Sequence, residues 1–255
     1  MPVSPFKPKP AMLSGETVDF EVPFQGTLLR GSRYTPSGAT QTALVLHGGG
    51  TSAAEGFGEL RLFLHARNIA TLVFDAVGHG RTGGAQLGTT LEERVQQVIT
   101  VVQSQGLAPD ALALVGFSMG AYVAVKAAAQ LGVPRLCLAI PAAYATQAYQ
   151  VPFGPQFSQI LRTPDSWVNS DAFDLVADYT GHLLVLSAEE DSVVPSEIPH
   201  TYLTCAKRSA SRQHHIIRRA GHQLSEHYAR EPQAREDAYA AIAALCQQGS
   251  HRSPT

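Results

Sequence analysis

The chain has 255 residues, 44% of them hydrophobic and 16% charged, which supplies a sizeable core and excludes wholesale disorder. Lys and Arg number 19 against 21 Asp and Glu, a formal charge of -2 that offers no electrostatic footprint for nucleic acid and no basic belt for an anionic membrane. No apolar run approaches the roughly 20 residues of a membrane-spanning helix. The opening stretch, MPVSPFKPKP, lacks the apolar run and small-residue cleavage site of a signal peptide. Three widely spaced cysteines (Cys137, Cys205, Cys246) form no CxxC pair, which argues against a disulfide scaffold or a zinc ribbon. The expectation is a cytoplasmic protein, either an enzyme or a binding protein.

Residues 17–21 and 27–34 read as two strands joined around Pro23 and Gly26, an antiparallel hairpin at one sheet edge. Short, mostly apolar runs follow at 43–46, 70–75, 111–116, 136–140, 183–187 and, less purely, 215–218. Runs that are apolar at every position suit strands covered on both faces. Between most of them lie longer stretches with helical period. Thr90 followed by Glu93 predicts a capping box, and Leu91, Val95, Val98 and Val102 fall on one stripe. Residues 119–131 predict an Ala-rich helix stopped by Gly132 and Pro134. A last helix starts near Pro232 and turns Ala234, Ala238, Ile242 and Leu245 inward. Strands alternating with helices mean an α/β fold.

Residues 141–179 break this alternation with four prolines and many aromatics. A structureless loop of that length inside a compact domain would be unusual, so the segment predicts a small cap inserted after a core strand. The expected organisation is one domain, with its core at 14–140 and 180–247, a cap at 141–179 and flexible tails at 1–13 and 248–255.

The chemistry-bearing residues gather at strand ends. The run 111–116 opens Gly116-Phe117-Ser118-Met119-Gly120, a G-x-S-x-G motif between a predicted strand and a predicted helix. That context makes Ser118 a candidate nucleophile, exposed on a sharp turn whose flanking glycines leave room for neighbouring backbone. The run 43–46 ends in His47-Gly48-Gly49-Gly50-Thr51. Acyl transfer develops negative charge on a former carbonyl oxygen, and two backbone N–H groups must face it. Met119, the residue after the nucleophile, would supply one and Gly49 the other, with Gly50 as the near alternative. His47 reads as a structural hydrogen-bonding residue rather than a base. Gly78-His79-Gly80-Arg81-Thr82-Gly83 matches G-x-G-x-x-G but opens no helix at its third glycine, which argues against a dinucleotide fingerprint.

In hydrolases with this elbow the order is serine, acid, histidine. Asp191 stands just past the run 183–187, with Glu189 and Glu190 as competitors. His222 follows the run 215–218, ahead of His214, His215 and His227 as candidate base. Ten histidines include no HxxxH pair, so no metal site is expected.

Four stretches, HGGG (47–50), DAVGHGRT (75–82), GFSMG (116–120) and the surroundings of Asp191 and His222, resemble the α/β-hydrolase superfamily. The resemblance covers its core from the first strand to the last helix. The second stretch is similar to that family's D-x-x-G-H-G-x-S turn, with Thr82 in place of serine. Within the superfamily the chain resembles small serine esterases with a short cap, such as the cinnamoyl/feruloyl-esterase-like group and its serine-aminopeptidase relatives. The resemblance implies an eight-stranded, mostly parallel sheet flanked by helices, its second strand antiparallel, with the cap after the sixth strand. It also implies cleavage of a small to medium carboxylic ester or thioester through Ser118, His222 and Asp191, with no cofactor. The alternative is a non-hydrolytic protein on the same scaffold, a ligand receptor or an enzyme redirected to lyase or cyclase chemistry. Phe117, with Gly50, and the cap aromatics Tyr144, Tyr149, Phe153 and Trp167 are the candidate substrate-binding residues. Phe157 belongs to the same aromatic set, and Arg162 is the only cation near it in sequence.

Overall fold

A computed structural model describes residues 15–249. The chain opens with β1 (Gly15–Phe24) and β2 (Thr27–Pro36), an antiparallel hairpin whose turn residues Gln25 and Gly26 both have positive φ. Pro23 lies inside β1 rather than in the turn, on the outermost strand, where a missing N–H is tolerated. The alternation then runs β3 (Thr42–Leu46), α1 (Gly58–His65), β4 (Ala70–Phe74), α2 (Leu91–Ser104), β5 (Leu112–Phe117), α3 (Met119–Leu131) and β6 (Arg135–Ala139). Two helices, α4 (Pro155–Arg162) and α5 (Ala172–Asp178), occupy the segment read as a cap. The core resumes with β7 (His182–Ala188), α6 (Glu197–Cys205), β8 (Ser211–Ile217), α7 (Leu224–Arg230) and α8 (Pro232–Gln247).

The eight strands form one sheet in the order β1-β2-β4-β3-β5-β6-β7-β8. β2 is antiparallel to both of its neighbours, and the strands from β4 to β8 pair in parallel. Every residue of β3, β4 and β6 is buried because both faces of the sheet are covered. Alternate side chains feed two cores. Leu44, Leu72, Leu114 and Leu136 meet α2, α3 and the segment between β6 and β7, whereas Val45, Val73, Val115 and Cys137 meet α1, α7 and α8.

Local signals set the helix ends. Thr90 caps α2 by accepting from the Glu93 N–H, and the Glu93 carboxylate accepts from the Thr90 N–H. Gly132 ends α3 in the left-handed conformation, and Pro232 occupies the first turn of α8. Of the expected tails, 1–13 and 250–255 lie outside the described residues. Gln248 is anchored: its carbonyl accepts from Arg135 Nε at 2.6 Å and its side-chain oxygen from Ser211 at 2.9 Å.

Candidate active site

β5 ends at Phe117 and α3 begins at Met119, so Ser118 alone makes the turn, with φ 53° and ψ -118°. A residue with a β-carbon held there stores about 1–3 kcal/mol of strain, which the surroundings must over-determine. The Ser118 N–H donates to the Ala139 carbonyl at 2.9 Å, and its carbonyl accepts from the N–H groups of Ala121 and Ala142. A β-carbon on Gly116 would collide with the Gly120 carbonyl, and one on Gly120 with the carbonyls of Leu46 and His47. The two motif glycines let strand, helix and the end of β3 close around the serine.

The loops after β7 and β8 bring the other two residues to it. His222 Nε2 lies 3.1 Å from Ser118 Oγ, and His222 Nδ1 lies 2.8 Å from Asp191 Oδ2. A carboxylate oxygen only accepts, so Nδ1 carries the proton and Nε2 presents a lone pair to the serine hydroxyl. Asp191 Oδ1 accepts from the N–H groups of Val193 and Val194 at 2.8 and 2.9 Å. Burial pushes the Asp191 carboxyl up, but the bonds from His222, Val194 and Val193 outweigh it and hold it below the usual carboxylate range.

The competing acids have other partners. Glu189 accepts from the Arg219 N–H at 2.8 Å and from the Arg218 guanidinium at 2.5 Å, tying the Asp191 loop to the His222 loop. Glu190 is exposed, and its N–H donates to the Ala220 carbonyl at 2.8 Å, a second tie between the same loops. His214 bonds Ser187 Oγ at 2.7 Å, His215 is half-buried in β8, and His227 is buried on α7.

The glycine loop after β3 lies against the elbow. A β-carbon on Gly48 would sit 3.3 Å from Ser118 Cβ, and one on Gly49 would sit 3.0 Å from Met119 Cε. Gly50 adopts φ +66°. His47 reaches away from the serine: its Nδ1–H donates to the Gly48 carbonyl at 2.7 Å, and its Nε2 accepts from the Ala76 N–H at 3.0 Å. Met119 opens α3, where backbone N–H groups have no partner within the helix. The D-x-x-G-H-G turn meets this loop at Ser52, whose carbonyl accepts from His79 Nδ1 at 2.8 Å. Asp75 accepts from the N–H groups of Ala54 and Arg81, and the Thr82 hydroxyl donates to the Asp75 carbonyl at 2.6 Å. Thr82, standing where that turn carries serine, is thus part of the turn's own bonding.

Residues 43–242 match a profile described as the alpha/beta hydrolase family. The chain belongs to the α/β hydrolase family. No curated protein matches it significantly in sequence. Among solved structures, this α/β hydrolase is similar to the esterase Pf2001 of Pyrococcus furiosus, with a TM-score of 0.68, 21% identity and 96% of each chain covered. It is also similar to Est1E of Butyrivibrio proteoclasticus, solved with ferulic acid, with a TM-score of 0.63, 18% identity, and 86% of this chain and 99% of that one covered. A third is the monoacylglycerol lipase of Paleococcus ferrophilus, with a TM-score of 0.65, 16% identity, and 86% and 98% covered. Likeness at these identities concerns the fold.

The candidate binding aromatics make a packed seam. Tyr144 and Phe153 are only 8% and 6% exposed. Tyr144 meets Tyr122 edge-on at 5.1 Å and lies 5.9 Å from Phe157, which meets Phe153 at 4.7 Å. Tyr149 and Trp167 are half-buried, against Tyr122 and Phe173 respectively, and Phe117 rests on Phe57. Two cations from the core reach this seam that a count along the cap segment misses. Lys126 pairs with Asp171 at 2.5 Å and sits over the Tyr149 ring, and Arg94 lies over the Phe153 ring. Arg94 had a visible signal, because it falls on the apolar stripe of α2 beside Leu91, Val95 and Val98.

Proposed function

We propose that this α/β hydrolase is a cytoplasmic serine hydrolase that cleaves a small to medium carboxylic ester or thioester through an acyl-enzyme. One observation carries the reading, the unbroken relay Ser118 Oγ–His222–Asp191 at 3.1 and 2.8 Å. His222 Nε2 takes the hydroxyl proton as Ser118 Oγ attacks the acyl carbon, and the ionised Asp191 stabilises the resulting imidazolium. The Met119 N–H and the Gly49 N–H, with Gly50 as the near alternative, receive the oxyanion. His222 then protonates the leaving alcohol or thiol, and water repeats the sequence to release the acid. The substrate class rests on the α/β hydrolase family and on the apolar character of the segment between β6 and β7, whose rings pack among themselves and against the core.

A fluorophosphonate probe read by intact mass tests the nucleophile, with attachment expected at Ser118 and none in Ser118→Ala. Nitrophenyl acetate, butyrate, octanoate and palmitate, a hydroxycinnamate ester and an aminoacyl amide test the substrate. Short, medium or aryl esters should give the highest kcat/KM, and preference for palmitate or the amide refutes the substrate class. Ser118→Ala and His222→Ala should each lose at least about 10³-fold in kcat, with the double variant losing little more. Probe attachment without turnover of any ester would favour the redirected scaffold.

A further inference from the structure

Arg94 is 4% exposed and has no carboxylate partner among the described residues. A buried guanidinium without an anion is costly, so the groups that accept from it define its role. Its Nη1 donates to the Gly48 carbonyl at 3.3 Å, its Nη2 donates to His79 Nε2, and its face covers the Phe153 ring at 5.6 Å.

His79 carries the contact onward. Its Nδ1 lies 2.8 Å from the Ser52 carbonyl oxygen, which only accepts, so the proton sits on Nδ1 and Nε2 is a lone pair open to Arg94. Burial, and after it the Arg94 charge, lower the proton affinity of His79 and keep this tautomer neutral. One side chain therefore grips both ends of the loop 48–52, Gly48 directly and Ser52 through His79. Between the grips lie Gly49 and Gly50, backbone that without restraint has the widest conformational freedom. The peptide between Gly48 and Gly49 is planar and trans, so a Gly48 carbonyl held toward His47 and Arg94 turns the Gly49 N–H the opposite way.

We propose that Arg94 is a positioning residue for the oxyanion loop, which clamps Gly48 and Ser52 so that the amides between them face the adduct on Ser118. The proposal rests on the serine hydrolase reading above. Through Phe153 the same side chain joins that loop to the segment between β6 and β7.

The test compares Arg94→Met, which keeps the volume, and Arg94→Lys, which keeps the charge but has no planar fork, with the wild-type enzyme. Arg94→Met should lower kcat on nitrophenyl butyrate by about 10- to 100-fold. KM and inhibition by butyrate should barely move, whereas Ki for a trifluoromethyl ketone, whose adduct carries an oxyanion, should rise by the same factor as kcat falls. Arg94→Lys should recover little. Wild-type kcat in either variant overturns the clamp, as does a kcat loss with unchanged trifluoromethyl ketone binding. Should Arg94→Met fail to fold, His79→Leu removes the Ser52 grip alone and should give the same pattern at smaller amplitude, and wild-type kinetics there overturn the clamp. Crystal structures supply a readout independent of turnover. If the wild-type protein neither turns over esters nor takes the fluorophosphonate, the functional reading falls. A displaced loop 48–52 in Arg94→Met still supports the clamp, and a superimposable loop overturns it.

Discussion

Glycine does two different jobs around Ser118, and the surroundings tell them apart. At Gly116 an added β-carbon would strike backbone, the Gly120 carbonyl, which cannot move without shifting the start of α3. At Gly49 it would meet the end of the flexible Met119 side chain at 3.0 Å, where a few tenths of an ångström of movement suffices. Gly116→Ala should therefore lower Tm by several degrees and abolish turnover, because elbow and helix are displaced together. Gly49→Ala should fold like the wild type, whereas Gly49→Val, crowding the loop proposed to donate to the oxyanion, should depress kcat by about 100-fold. Thermal denaturation alongside kcat separates the cases, and a Gly116→Ala protein with wild-type Tm would contradict the steric account.

The segment between β6 and β7 is held to the core at a small number of places. Asp171, just before α5, accepts from the Lys126 ammonium on α3 at 2.5 Å and from the Tyr122 hydroxyl at 3.2 Å. Burial raises the Tyr122 phenol first, and the Asp171 charge raises it further, so this hydroxyl remains a donor. Asp171→Ala leaves a mostly buried ammonium and a buried hydroxyl without their acceptor, a loss the segment bears more than the sheet does. Amide hydrogen exchange should quicken across α4 and α5 and stay unchanged in β3 to β6. Equal protection in variant and wild type would mean that the aromatic seam alone holds the segment. Along the chain, α2, α3 and α8 are legible because each has a cap or stop and a sustained apolar stripe. The helices α1, α6 and α7 are short, and only packing against the sheet makes them helices. β8 starts four residues before the predicted run and stops one short of its end, because an edge strand with one neighbour keeps polar residues on its open positions.

At the scale of the whole molecule, the neutral buried imidazoles make stability depend on pH. Burial, then Arg94 and His79, lower the proton affinity of His47 to about 3. Between about pH 6.5 and about 3 the unfolded chain binds a proton at this position that the folded chain refuses. Stability is therefore full above that window and falls as pH falls through it, by up to about 1.4 kcal/mol per pH unit for this one group. His79, His182 and His214 are shifted the same way, chiefly by burial, and steepen the slope. The lowered carboxyls of Asp191 and Glu189 act later: their contribution is present above the ordinary carboxylate range and is lost as pH falls through their lowered values. Urea unfolding at pH 7.5, 6.5 and 5.5 should show stability declining above the ordinary carboxylate range. A flat profile from 7.5 to 5.5 would contradict the buried neutral imidazoles.

The sequence by itself determined the α/β alternation, the two-face burial of the central strands and the strand-end placement of Ser118, Asp191 and His222. Hydrophobic period and turn chemistry are local properties, and they can be read from neighbouring residues. Which carboxylate meets the imidazole was decided by the tertiary structure. Glu189, Glu190 and Asp191 are adjacent, and only the position of the loop after β8 turns Glu189 to Arg219 and Asp191 to His222. Arg94 is the same kind of case. Its place on an apolar stripe marks it as buried, but its acceptors come from residues 46 and 15 positions away, brought together by β3 and β4 lying side by side. The aromatics between β6 and β7 stand out by composition as candidate substrate-binding residues, and composition alone does not separate that role from packing onto the core. In the fold they meet Tyr122, Phe173 and one another, because burying ring against ring is the main way so short an insertion can hold itself to the core.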